Sequence, residues 1–200
     1  MARLAFARER RGMYRSNSDT DIVGIATFPE KIWTGVKWEL FPNVGVRHEG
    51  INRLLYELSD LAEPNRSLGV LRANLLTNIG YLMPAPGFRG WSFPLDSDPD
   101  PPLQDMVTAI ETHGLPFIRS LSDSSKFCEA LASGKFSLVN RDRDLPVCHF
   151  VMADDVAAEK CLDQGVKDRA GRHDPEAEQY RLFATRLRQL ILERKKKEND

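Results

Sequence analysis

Seven side chains in this sequence belong to the types that most often bind metals or attack electrophiles: His48, His113, His149 and His173, with Cys128, Cys148 and Cys161. Chelation needs ligands that return to one point, as His-x-x-x-His or Cys-x-x-Cys spacing arranges on a helix or knuckle. Neither spacing occurs, so no metal site is expected. Cys148 and His149 are adjacent, and neighbours on a helix point ~100° apart. A thiol–imidazole pair between them is therefore disfavoured, and the apolar run Leu145–Met152 around them favours a buried structural thiol. The cysteines are odd in number and widely spaced, which suits reduced thiols better than a disulfide framework.

Other catalytic signatures are equally sparse. No Gly-x-Ser-x-Gly elbow is present, so an α/β-hydrolase is not supported. Gly87-Phe-Arg-Gly90 is the nearest approach to a phosphate loop. It follows prolines instead of a strand, and a turn explains it better. Asp154, Asp155 and Glu159 could share a helix face as an acid–base set, but helix capping accounts for them without chemistry. Two charged zones stand out. Arg3, Arg8, Arg10, Arg11 and Arg15 crowd the start, Arg194-Lys-Lys-Lys197 crowds the end, and Asp96–Asp105 is acidic. Such polarity fits a protein-binding surface better than an active site.

The elements that must position these groups follow from composition and pattern. Apolar residues make up 42% and charged residues 28% of the 200, and the net charge is −1. These values exclude collagen-like, coiled-coil and wholly disordered classes, and a dedicated basic nucleic-acid binder. One α+β domain over 1–200 is expected, sheet-rich over 12–82. Ile22–Phe28 reads as a strand, and Ile32–Phe41 as a half-buried strand whose apolar face is Val36, Trp38 and Leu40. With Gly12–Ser16 these predict an antiparallel meander, and Val44–Val46 continues the second strand past a kink. Ile51, Leu54, Leu55, Leu58 and Leu61 predict an amphipathic helix over 49–62. A long strand is expected over 67–81, with a helix as the alternative for its first part.

Six prolines (Pro84, Pro86, Pro94, Pro99, Pro101 and Pro102) make 83–102 a loop. Trp91 and Phe93 within it either peg the loop to the core or, with Arg89, face a ligand. They are the candidate binding residues. The region 103–194 reads as helical. Gly114 and Pro116 should stop one helix, and Ser122 or Asp123 should cap the next, which ends at Gly134. Phe136–Val139 suggests a short strand or an extended segment, Arg141–Asp144 a polar turn, and Leu145-Pro146 the opening of a helix broken near Asp154. Asp174-Pro175-Glu176 is a strong helix start, and a basic tail over 195–200 should fray.

The stretch Ile32–Phe41, the ending Asn78-Ile-Gly-Tyr-Leu82, the Trp91 loop, and Ile110-Glu-Thr-His-Gly-Leu-Pro-Phe-Ile118 leading into Ser122–Leu131 together resemble the bacterial family catalogued as domain of unknown function 4304. The resemblance spans about residues 10–165. It implies an α+β fold, no established activity and no assignable functional residue, and it makes an immunity-type binding role conceivable.

The expectation is thus a cytoplasmic, non-enzymatic accessory factor, immunity-like, that binds another protein. No apolar run is long enough for a membrane span and no signal peptide is recognisable, so no membrane partner is expected. No cofactor is expected and nucleic acid is disfavoured. The competing reading is an enzyme with an unconventional site near His113, His149 and Asp154.

Overall fold

The computed structural model describes residues 6–10, 13–16, 21–28, 31–59, 73–136 and 141–199. The fold is α+β, with a helical C-terminal half. Five antiparallel strands form one sheet in the order β1 (Phe6–Arg10), β2 (Met13–Ser16), β3 (Ile22–Thr27), β6 (Asn43–His48) and β7 (Leu75–Asn78). Three more, β4 (Lys31–Trp33), β5 (Lys37–Leu40) and β8 (Trp91–Pro94), form a second antiparallel sheet.

The large sheet holds because β3 and β6 are almost wholly buried. Ile22, Ala26, Val44 and Val46 share one face, as the pairings Gly24–Val46 and Ala26–Val44 require, and Leu75 on β7 continues it opposite Val46. Gly45 has a packing reason: a Cβ there would sit 2.1 Å from the Leu75 carbonyl oxygen. Two apolar clusters cover this face. The larger gathers Ile51 and Leu55 of α1 (Glu49–Leu58) with residues of the later helices. The smaller gathers Ala26, Val44, Ile79, Trp91, Met106, Ala109 and Ile110.

A short 3-10 turn, Ile79–Leu82, follows β7. Helix α2 (Asp100–Ala109) then runs through a π-helical turn, Ile110–Gly114, into α3 (Leu115–Ser120). Four helices complete the chain: α4 (Ser124–Ser133), α5 (Arg141–Val151), α6 (Asp155–Asp168) and α7 (Pro175–Asn199). Asp123, Asp154 and Asp174 supply their caps by accepting from Lys126, Ala157 and Ala177 N–H groups. Gly134 ends α4 in the left-handed conformation, φ +68°.

Several expectations are corrected. The single strand expected over 32–41 is a hairpin, β4–β5, turned at Thr34-Gly35-Val36, where Gly35 has φ +90°. Strand β6 pairs with β3 in the other sheet, so the meander is split between two sheets. The strand expected over 67–81 is present only as β7, since the 3-10 turn replaces its end; residues 67–72 lie outside the described set. The loop over 83–102 contains β8. Gly114 does not stop a helix. It is buried and helical, and a Cβ would meet Val44 Cγ1 at 3.1 Å and Ile79 Cδ1 at 3.2 Å, so its smallness lets the π turn approach β6. Pro116 is absorbed because the π turn already displaces the carbonyl ladder: Leu115 N–H bonds to Ile110 O.

Arg141–Asp144, expected as a polar turn ahead of the helix, is the first turn of α5 itself. Pro146 therefore lies inside that helix. A proline cannot donate to the carbonyl four residues back, here Asp142 O, and the Tyr180 hydroxyl donates to it at 3.2 Å instead. The strand expected over 136–139 falls outside the described residues beyond Phe136, whose carbonyl accepts from Leu76 N–H at 3.1 Å.

Candidate functional site

The small sheet carries the most distinctive chemistry. Cross-strand partners share a face, so Trp33, Trp38 and Phe93 form one row across β4, β5 and β8. Leu40 and Trp91 form the next row inward. Exposure rises along this face from Trp91 at 4%, through half-buried Leu40 and Phe93, to Trp38 at 42% and Trp33 at 45%. The two outer indoles lie 5.1 Å apart, centroid to centroid, tilted by 40°. Val36 and Leu95 add exposed apolar surface near the turn, while exposed Ile32, paired with Glu39, lies on the other face.

Local hydrogen bonds set the shape. Thr34 N–H donates to Lys37 O at 3.1 Å and closes the hairpin, and Leu95 N–H donates to Val36 O at 3.1 Å, tying the end of β8 to the same turn. Apart from Ile32, the opposite face is polar. Lys37 Nζ lies 2.7 Å from Glu39 Oε1, and the Ser92 hydroxyl donates to the same oxygen at 3.3 Å. The Lys37 hydrogen bond is the main reason the Glu39 carboxyl sits below its ordinary range.

The inner end is anchored. The Trp91 indole N–H donates to Asp105 Oδ2 at 2.7 Å, and Arg89 Nη2 donates to the same oxygen at 2.9 Å. The Arg89 guanidinium carbon stands 4.9 Å from the Trp91 ring centroid. Asn78 fixes the approach to β8. Its amide donates to Pro42 O at 3.2 Å and Arg89 O at 3.0 Å, and its carbonyl accepts from Gly80 N–H at 3.0 Å and Arg89 N–H at 2.9 Å.

The three residues singled out from sequence thus come together, but in different roles. Trp91 is a core peg, Phe93 a half-buried link in the aromatic row, and Arg89 an exposed clamp on Asp105. The exposed tryptophans, Trp33 and Trp38, were missed as a pair. Alternation over 32–41 places them on opposite faces, and only the turn at Gly35 brings them together. Gly35 beside a threonine was the available signal.

Of the residues proposed for an unconventional catalytic site, His149 and Asp154 come together while His113 lies elsewhere. His149 Nδ1 lies 3.8 Å from Asp154 Oδ2, at the junction of α5 and α6. Asp154 Oδ1 is committed to the α6 cap, Asp155 to an ion pair with Arg194, and Glu159 to Arg188 at 3.1 Å. His113 belongs to the π turn, which packs on β6 and the 3-10 turn. Another polar group lies buried where β6 meets the helices. His48 N–H donates to Asn74 Oδ1 at 2.8 Å, and Asn74 Nδ2 donates to Asp144 Oδ2 at 3.3 Å and to Asn52 Oδ1 at 3.0 Å. It ties β6, α1 and α5 together. Burial lowers the His48 imidazole below its usual range, against the opposing pull of Asp21 and Glu49.

The basic C-terminal helix is largely committed within the molecule. Arg186 donates to Leu58 O at 3.1 Å and Arg194 to Phe150 O at 2.8 Å. Among the described residues, no cluster of three or more His, Cys, Asp or Glu side chains is arranged to hold a metal ion, and no helix is long and apolar enough to cross a membrane. Comparison of the chain with protein-family models, with curated proteins and with solved structures finds no match in any of the three.

Proposed function

We propose that this chain is an accessory factor that binds a second protein through the Trp33–Trp38 hairpin. The observation that carries the reading is the aromatic row: two exposed indoles, braced against each other and rooted through Phe93 and Trp91 in the core. Exposed tryptophans on a rigid hairpin supply large contact area at little ordering cost, which is the pattern of interface hot spots. The flank chooses the partner chemistry. Leu95 is followed by exposed Asp96, Asp98 and Asp100, so the surface suits an apolar patch bordered by lysines or arginines. An immunity-type role, as the family resemblance implies, is one form this binding could take.

The test is reconstitution. A partner captured from the native host is purified and titrated against the chain and its Trp33→Ala, Trp38→Ala and Asp96→Lys/Asp98→Lys variants, with circular dichroism confirming the fold of each. Either tryptophan variant should weaken binding at least tenfold, a loss of about 1.4 kcal/mol, and usually more for a hot spot. The charge reversal should slow association, most visibly at low salt. Unchanged affinity in both tryptophan variants would overturn the reading. Trp91→Ala is unsuitable here, because it removes a core side chain.

A further inference from the structure

Helices α6 and α7 run antiparallel. Arg169, next to the end of α6, pairs with Glu176 at the start of α7, and Arg194 near the end of α7 pairs with Asp155 at the start of α6. Between these ties Arg188 Nε donates to Glu159 Oε2 at 3.1 Å, and Asp163 shares the same guanidinium. Val156 lies one turn before Glu159 and Leu192 one turn after Arg188, so the two stand level on the outer side of this helix pair. Val156 is 79% exposed, the highest value for a large apolar side chain among the described residues, and Leu192 is 56% exposed. Each is followed four residues on by an exposed lysine, Lys160 and Lys196, and side chains four apart share a helix face. The nearby acids Asp155, Glu159 and Asp163 are held in ion pairs by Arg188 and Arg194. The outer face is thus apolar at its centre and positive at its border.

We infer that this α6–α7 face receives the Trp33–Trp38 hairpin of a second copy of this chain. The inference rests on the reading of the hairpin as a docking surface and goes beyond it by naming an occupant. Charge complementarity carries the choice. The hairpin presents exposed indoles bordered by exposed Asp96, Asp98 and Asp100, and the helix face presents exposed aliphatic side chains bordered by lysines. Indoles seated on Val156 and Leu192 bury apolar area on both sides, and the carboxylates meet the ammonium groups around that centre. The small sheet roots in the smaller apolar cluster and α6 and α7 in the larger, so the two surfaces occupy different parts of the molecule. Each copy therefore gives one hairpin and receives one, closing as a reciprocal pair or a ring. A hairpin-on-hairpin dimer would instead bring two acidic runs together, which like charge disfavours.

Sedimentation velocity of the intact chain, from ~1 µM to ~500 µM, reads the contact directly. The average mass should rise with concentration, and association should weaken at least fivefold between ~50 mM and ~500 mM salt. Three variants, all at exposed positions and checked for fold by circular dichroism, assign the surfaces. Trp38→Ala, Asp96→Lys/Asp98→Lys and Lys160→Glu/Lys196→Glu should each weaken self-association at least tenfold. The two charge reversals mixed in equal amounts should associate again, within about fivefold of the parent, because the reversed hairpin then faces the reversed helix pair and the unaltered surfaces face each other. Association of Trp38→Ala or Lys160→Glu/Lys196→Glu at the parent level, or a mixture that stays monomeric, would overturn the inference. A parent chain that is monomeric up to ~500 µM would overturn the self-contact alone. The titrations of Trp33→Ala and Trp38→Ala against a foreign partner decide the role of the hairpin separately.

Discussion

Replacing Asn78 with alanine should uncouple the small sheet from the rest of the molecule. The side chain is 6% exposed and uses all of its donors and acceptors on backbone groups, spanning β6, the 3-10 turn and the entry to β8. Four bonds at a net ~1 kcal/mol each would set an upper figure of ~4 kcal/mol. Two discounts apply. Arg89 is exposed, so water can replace the amide at its N–H and C=O. Pro42 O keeps the bond it accepts from Ile79 N–H at 3.1 Å. The Gly80 N–H has no such substitute, because Gly80 is buried, and orphaning it costs ~1–3 kcal/mol. The expected loss is therefore ~2–3 kcal/mol. With a urea slope of ~2 kcal/mol/M, the midpoint should fall by ~1 M. The assay has a built-in division of signals. All three tryptophans lie in the small sheet, so indole fluorescence reports that sheet, while far-ultraviolet circular dichroism reports the helices. In Asn78→Ala the fluorescence transition should precede the helical one. Asn78→Asp keeps the acceptors but sets a carboxylate against the Pro42 and Arg89 carbonyls, and should be at least as damaging. A midpoint shift below ~0.3 M, with both signals still in step, would refute the reasoning.

Other expectations are narrower. Gly80→Ala should be strongly destabilising, because its Cβ would lie 2.2 Å from the Gly87 carbonyl oxygen, whereas Gly87→Ala, with nothing within 4 Å, should change the urea midpoint little. The Tyr180 phenol is pushed up to about 12, chiefly by burial. Its contribution is fully present below the free-tyrosine value of ~10 and is lost as pH rises toward the folded value, so Tyr180→Phe should flatten the alkaline fall in stability. In an absorbance titration, one of the four tyrosines should ionise late. The His48 imidazole is shifted the other way, by burial. The unfolded chain takes up the proton first, so stability should hold above ~6.5 and decline as pH falls below it. His48→Asn, which keeps a cap acceptor for Ile51 N–H, should remove that part of the acid dependence as read by urea midpoints at several pH values.

Local signals with one interpretation were legible in the sequence. The Asp174-Pro175 start, the Gly134 stop and the stripe of α1 from Ile51 to Leu58 depend on neighbours a turn away, and the structure repeats them. Elements decided by distant atoms were not legible. Gly114 looks like a stop until Val44 and Ile79 press on it, and Pro146 looks like a helix opener until Tyr180 supplies the missing donor from α7. The candidate site divides in the same way. Trp91, Phe93 and Arg89 stood out by type, but alternation hid the pairing of Trp33 with Trp38, because one glycine at φ +90° reverses the chain between them.

The π turn has a consequence for how the chain is phased. Each helical residue advances the side-chain direction by ~100°, so a single extra residue between α2 and α3 rotates everything after it by that angle. Met106 and Ala109, before the turn, look only into the smaller cluster, while Phe117 and Ile118, after it, touch both clusters. The inserted residue works as a gear tooth between two cores. Deleting Thr112 would restore an even helical pitch and turn Phe117 and Ile118 out of mesh. Two halves that now share a seam would then meet across mismatched surfaces.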